Sequence, residues 1–192
     1  MRVLVACEYS GAVRDAFRRL GHDAWSNDLL GEWPEGEFYD HHIYGDCRKV
    51  ILEQGPWDLL IAHPPCTHLC VSGARWFRGK KDEQEEALEF VRFLLAAPVE
   101  RIALENPIGI ISSRIRKPDQ IVHPWHFGHG ESKATCLWLK NLPKLRPTDI
   151  VPSNYHNESC FRAAPSETRG KDRSRTYQGF ADAMAEQWGG RP

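Results

Sequence analysis

The stretch Trp57-Asp58-Leu59-Leu60-Ile61-Ala62-His63-Pro64-Pro65-Cys66 decides the fold. Its apolar run, residues 59–62, reads as a strand buried on both faces of a parallel sheet. Pro64 and Pro65 lack the N–H that a central ladder needs, so the strand stops there. The break falls at the carboxyl end of a strand, where open α/β sheets bind ligands. Two fixed φ angles then hold the Cys66 thiol in a stiff loop. Two readings stand for that thiol: a nucleophile, or a buried thiol in a proline-broken loop.

Upstream, residues 2–6 form a short apolar strand and Cys7-Glu8-Tyr9-Ser10-Gly11 the turn after it. Val13, Ala16, Phe17 and Leu20 share one helical face, and Gly21 stops that helix. Residues 22–26 read as a second strand, closely followed by Asp28. Strand, tight turn, helix, strand, acid is the order of a mononucleotide-binding half. Gly11 would let a cofactor approach the helix N-terminus, and Asp28 would accept hydrogen bonds from ribose hydroxyls. A single glycine in the turn fits an ordinary βαβ connection equally well. Residues 41–44 predict a short third strand ending in Gly45-Asp46. Asp46 either caps a helix running to about residue 53 or accepts from an adenine amino group.

Downstream, residues 67–76 form a long loop. His63, Cys66, His68 and Cys70 are all zinc-ligand types, but their spacing is unlike that of a structural zinc site, and no metal is assigned. Residues 82–98 predict a strong helix with Ala87, Leu88, Val91, Leu94 and Leu95 on one face and acids at its start. Residues 100–104 form the next strand, ending in Glu105-Asn106-Pro107. A glutamate leaving a buried strand is costly unless paired or functional. It is either a carboxyl with a raised pKa that acts as an acid or a salt-bridged or capping residue. If the strands before Cys66 and Glu105 are neighbours, both side chains face one cleft. Residues 109–130 look irregular, residues 133–139 alternate like a strand of a hairpin, and residues 141–172 are loop-like. A final helix carries Tyr177, Phe180, Ala181, Met184 and Trp188 on one core-facing side.

A chain of 192 residues, 41% hydrophobic, is expected to be a single domain over residues 1–192. Its net charge of −1, from 25 basic and 26 acidic residues, supplies no global field for nucleic acid. Any such binding needs a local patch. Arg162, Arg169, Lys171, Arg173 and Arg175 against Glu167 and Asp172 make one candidate, and Arg114, Arg116 and Lys117 a second. No apolar run approaches the roughly 18 residues of a membrane span, and no signal-peptide pattern opens the chain. A cytoplasmic protein is expected, with its six cysteines reduced.

With Tyr9-Ser10-Gly11, Asp28, Gly45-Asp46, Pro64-Pro65-Cys66 and Glu105-Asn106 in that order, the chain resembles the DNA cytosine carbon-5 methyltransferases. The loop from Leu69 to Arg75 is similar to that family's serine- and glycine-containing loop. The resemblance covers about residues 1–140 and the last helix, and is nearest to small phage and prophage members. Departures are Glu8-Tyr9-Ser10-Gly11 at a turn usually rich in phenylalanine and glycine, Thr67 where glutamine is usual, and Pro107 where valine is usual. Glu131-Ser132-Lys133-Ala134-Thr135 stands at the family's arginine-rich strand, and no separate target-recognition domain fits after Leu139.

The resemblance implies a Rossmann-like methyltransferase fold: a mostly parallel, doubly wound sheet with an antiparallel hairpin toward the C-terminus. It implies S-adenosylmethionine held by Tyr9, Ser10, Gly11, Asp28, Asp46 and Pro64. Cys66 would be the nucleophile that adds to carbon 6, and Glu105 the acid at ring nitrogen 3. Asn106, Arg75, Lys133, Arg173 and Arg175 would meet the substrate, DNA with its target base flipped out. A second copy or a partner would stand in for the recognition domain. Two alternatives stay open: methylation of an exocyclic amine, against which Cys66 in the aromatic position argues, and a non-catalytic cofactor- or nucleic-acid-binding relative.

Overall fold

The structure is a computed structural model that describes residues 1–30, 36–71, 79–157 and 174–190. Seven strands form one sheet in the order β3-β2-β1-β4-β5-β7-β6. They are β1 (Arg2–Ala6), β2 (Asp23–Asp28), β3 (His42–Tyr44), β4 (Leu59–Ala62), β5 (Arg101–Pro107), β6 (Gln120–Val122) and β7 (Thr135–Lys140). β3, β2, β1, β4 and β5 pair in parallel, while β7 runs antiparallel between β5 and β6. The mostly parallel sheet with an antiparallel C-terminal segment is the architecture expected from the sequence.

Alternate residues of each strand face opposite layers. Val3, Val5, Leu59, Ile61, Ala103 and Leu137 pack with α1 (Ala12–Arg19) and the last helix, here α5 (Gln178–Gly189). Leu4, Leu60, Ile102, Leu104 and Trp138 pack with α2 (Cys47–Glu53) and α3 (Lys81–Leu95). Both faces are covered, which is why the central strands read as unbroken apolar runs. A buried polar thread ties α1 to β2: Arg14, fully enclosed, donates to Asp15 and to Ser26, and Asp15 accepts from the Glu37 amide.

Several boundaries differ from expectation. Asp28 closes β2 instead of following it. α3 stops at Leu95, short of Pro98. β5 does not end at Leu104: it continues through Glu105, Asn106 and Pro107, which pair with Leu137, Cys136 and Thr135. The antiparallel partner supplies hydrogen bonds beyond the point where β4 has ended. The segment read as irregular holds a short helix, α4 (Ile111–Arg114), and β6. Lys133 precedes β7, which begins at Thr135. Among the described residues no helix is long and apolar enough to cross a membrane.

Candidate active site

The strand order reverses between β1 and β4, and a crevice opens at the carboxyl ends of strands at such a reversal. The segment after β1, Cys7 to Gly11, lies there beside the segment after β4, His63 to Cys66. The His63 amide donates to the Ala6 carbonyl at 2.9 Å, joining the two. β4 and β5 are parallel neighbours, with Ala62 opposite Leu104, so Glu105, still within β5, lies beside the segment that leads from β4 to Cys66, and its charge acts on the Cys66 thiol.

Their loops are also sewn together. Asn106, 1% exposed, donates from Nδ2 to the Pro64 carbonyl at 2.8 Å. The Val71 amide donates to Ile108 and the Ile110 amide to Leu69, and Cys70 bridges Gly109. A Cβ at Gly109 would run into the Leu69 carbonyl oxygen, so only glycine lets the two backbones meet. Leu69 and Cys70 both donate their amides to the Cys66 carbonyl at 3.0 Å, curling the thiol's loop into a turn.

The side chains at this junction are held by charge. His63 Nδ1 lies 2.9 Å from Glu105 Oε2, with the two side chains only 11% and 17% exposed. A carboxylate oxygen can only accept, so Nδ1 carries the proton. Burial pushes the Glu105 carboxyl up, but the His63 hydrogen bond, the His63 charge and the Lys133 charge together hold it below the ordinary carboxylate range. Burial pulls His63 down, and the Glu105 bond with the charges of Glu105 and Glu8 carries it above the ordinary imidazole range. Of the two readings left open for Glu105, a raised carboxyl or a salt-bridged residue, the ion pair is present and the carboxyl is lowered. Sequence reasoning counted the burial and missed the histidine.

The Cys66 thiol is held in its protonated form. A hydrogen bond with the Cys70 thiol, then burial, then the negative charges of Cys70 and Glu105 push the Cys66 pKa upward. In this resting arrangement Cys66 is a thiol and Glu105 a carboxylate. Cys7, Cys47, Cys66, Cys70 and Cys136 are all unbridged, and Cys160 lies outside the described residues. Among the described residues, no three His, Cys, Asp or Glu side chains are arranged to hold a metal ion.

Beside Glu105 a cavity is walled by His123, Lys133, Thr135, Arg175 and Tyr177. It brings together three residues chosen from the sequence, Glu105, Lys133 and Arg175. Arg75, Arg173 and most of the basic stretch 162–175 lie outside the described residues. Arg114 and Arg116, the other basic cluster, pair with Glu85 and Asp119.

At the other side of the crevice stand the residues proposed for a cofactor. Gly11, at φ 69°, is the left-handed residue that starts α1. The amides of Val13 and Arg14 at that helix start are already taken by the buried Glu8 carboxylate, at 2.7 and 3.3 Å. Asp28 accepts from the Leu30 amide, and Asp46 caps α2 through the Arg48 amide. Of the two roles left open for Asp46, capping is present. The charges of Asp28 and Asp46 act on both Cys7 and Cys47, so the two acids border the same edge as the β1 turn. Asn27 Oδ1 is buried there with no hydrogen-bond partner among the described residues. Two acids beside a tight turn suit the hydroxyls and ammonium group of S-adenosylmethionine.

No family model and no curated protein matches the chain. Among solved structures it is similar to the Entamoeba histolytica methyltransferase EhMeth, at 16% identity and TM-score 0.51, covering 78% of this chain and 57% of that one. It is similar also to the S. pombe Dnmt2 methyltransferase, at 16% identity and TM-score 0.51, covering 75% of this chain and 51% of that one. The chain thus spans just over half the length of these two proteins. The likeness is one of fold, a mostly parallel, Rossmann-like α/β sheet with an antiparallel strand pair.

Proposed function

We propose that the protein transfers a methyl group from S-adenosylmethionine to carbon 5 of cytosine in DNA, through a covalent adduct at Cys66. The observation that most supports this reading is the stitched pair of loops that draws the segments of Cys66 and Glu105 together at the switch point of the sheet. The fold likeness to two methyltransferases supports methyl transfer in general.

Cytosine carbon 5 is a weak nucleophile, and a sulfur adding at carbon 6 makes it enamine-like while a proton at ring nitrogen 3 neutralises the charge that develops. In this chain Cys66 supplies the sulfur and Glu105 the ring contact. Asn106 fixes the loop between them through Pro64. Tyr9, Ser10, Gly11, Asp28, Asp46 and Pro64 border the cofactor edge, and S-adenosylmethionine, when bound, supplies the electrophilic methyl. Lys133 and Arg175, at the cavity beside Glu105, meet the flipped nucleotide. The basic residues Arg75 and Arg173 serve the same strand.

The test is mass spectrometry of nucleosides from cytosine-containing DNA incubated with the full chain and S-adenosylmethionine. 5-Methylcytosine that disappears in Cys66→Ser is the expected result. Methylation on an exocyclic amine, or methylation that survives in Cys66→Ser, defeats the covalent route. A second reading is a binding protein without turnover, supported by the contacts that already engage both groups, Cys66 with Cys70 and Glu105 with His63. Cofactor binding with no methylated product under any condition would select it.

A further inference from the structure

The candidate site needs Glu105 protonated, yet the structure holds it as a carboxylate against His63. Those two facts are reconciled by the histidine itself. We propose that His63 is the proton store of the site, a positioning residue that lends its Nδ1 proton to Glu105 when a pyrimidine enters and takes it back afterwards. The inference rests on the cytosine reading above.

The geometry is specific. His63 follows β4 directly, its backbone fixed by the Ala6 carbonyl and by the two prolines after it. Nδ1 faces Glu105 Oε2 at 2.9 Å, within the range of a charge-assisted hydrogen bond. Its other nitrogen, Nε2, is buried and has no hydrogen-bond partner among the described residues. The Nδ1 proton therefore has one recipient, Glu105. Among the described residues, the titratable groups that face the pair are Glu8 from the end of β1, Lys133 from before β7, and the thiols of Cys66 and Cys136 toward Glu105. Glu8 holds positive charge on the imidazole, and Lys133 opposes it.

The proton inventory balances. The Nδ1–H bond of His63 breaks as the Oε2–H bond of Glu105 forms. That bond breaks in turn as ring nitrogen 3 gains its hydrogen. Meanwhile Cys66 loses its thiol proton to solvent, and the sulfur lone pair forms the bond to carbon 6. After methyl transfer, a water base removes the carbon-5 proton, the carbon–sulfur bond breaks and its electrons return to sulfur. The nitrogen-3 proton then goes back through Glu105 to His63, and Cys66 takes one from solvent. Nothing is oxidised or reduced.

Two measurements test this on the full chain. Nitrogen-15 spectra of histidine-labelled protein, with His63 assigned by its absence in His63→Gln, should show it titrating above ordinary imidazole and shifting downward in Glu105→Gln. Titration at or below the ordinary value, unchanged in Glu105→Gln, overturns the proposal. The second measurement is the rate at which 5-fluorocytosine DNA is trapped as an adduct with S-adenosylmethionine present. In wild type the rate should fall as pH rises through the His63 titration. His63→Gln, and His63→Asn as a second variant, should trap at least tenfold more slowly, lose that pH limb and bind cofactor unchanged. Equal rates with the same pH profile overturn the role of His63 while the methylation reading survives. No adduct in wild type, with cofactor bound, defeats the methylation reading and the proton store with it, whatever the spectra show of the pair.

Discussion

Cys66 is guarded in the resting state. The largest influence on its thiol is the hydrogen bond with Cys70. Thiolate, not thiol, is what alkylating reagents attack. Removing the bond in Cys70→Ala should speed iodoacetamide labelling of Cys66 several-fold near neutral pH, read by peptide mass spectrometry. A rate equal to wild type would mean that burial alone guards the thiol. The His63–Glu105 pair makes a pH-dependent contribution to stability. Glu105 is lowered, so its share is present above about 4.3, the ordinary glutamate value, and is lost as pH falls through the lowered value. His63 is raised, so its share is present below about 6.5 and is lost as pH rises through the raised value. Glu105→Gln should therefore cost roughly 1–3 kcal/mol between those limits, with the deficit shrinking at higher pH. Urea midpoints across pH measure this, and a deficit that grows as pH rises past the His63 titration contradicts it. The residue types Cys66 and Glu105 were legible in the sequence, but their protonation was not. It is set by His63, 42 positions from Glu105 and read only as a metal-ligand type, and by Cys70 across a turn.

At the scale of the elements, the site depends on two loops meeting backbone to backbone. Gly109→Ala puts a Cβ against the Leu69 carbonyl, so one strand of the stitch must move. The variant should lose roughly 1–3 kcal/mol, the range of overpacked positions, and should lower adduct formation far more than cofactor affinity. Cofactor affinity falling in step with adduct formation would point to general unfolding. Asp46→Ala removes the α2 cap and should cost about 1 kcal/mol. A larger loss of S-adenosylmethionine affinity by calorimetry would add a cofactor contact to the cap. Elements with strong apolar periods, β1, α1, β4 and α3, were readable from residue pattern. β6 has three residues and α4 has four, too few to establish a period. The true end of β5 was hidden because its last residues pair only with a strand far along the chain, Glu105 with Leu137 and Asn106 with Cys136.

Among the described residues the strands form one sheet, whose order brings the segments after β1 and β4 and the end of β5 to a common edge. The strand order reverses there between β1 and β4, β5 adds Glu105, and β7 leads in from Lys133. The order of acids, prolines and cysteine along the chain made that edge legible from the sequence, since each group falls at or just after the carboxyl end of a strand. The cavity under Glu105 was not, because the far end of the chain closes it with Tyr177 and, from α5, Phe180. With a net charge of −1, DNA affinity must come from local cations. Lys133→Ala combined with Arg175→Ala should weaken DNA binding and flatten its salt dependence, the slope falling by about 0.9 for every phosphate no longer neutralised. An unchanged slope in fluorescence titrations would place the phosphate-binding cations elsewhere.

The central claim, a covalent bond between Cys66 and carbon 6 of cytosine, is tested most directly by intact-mass and peptide mapping of the protein after reaction with 5-fluorocytosine DNA and S-adenosylmethionine. The fluorine cannot leave as a proton does, so the adduct should accumulate. The account predicts one added oligonucleotide per chain, mapped to the peptide at Cys66, dependent on cofactor and absent in Cys66→Ser. An adduct that maps to Cys70 or that persists in Cys66→Ser would contradict it.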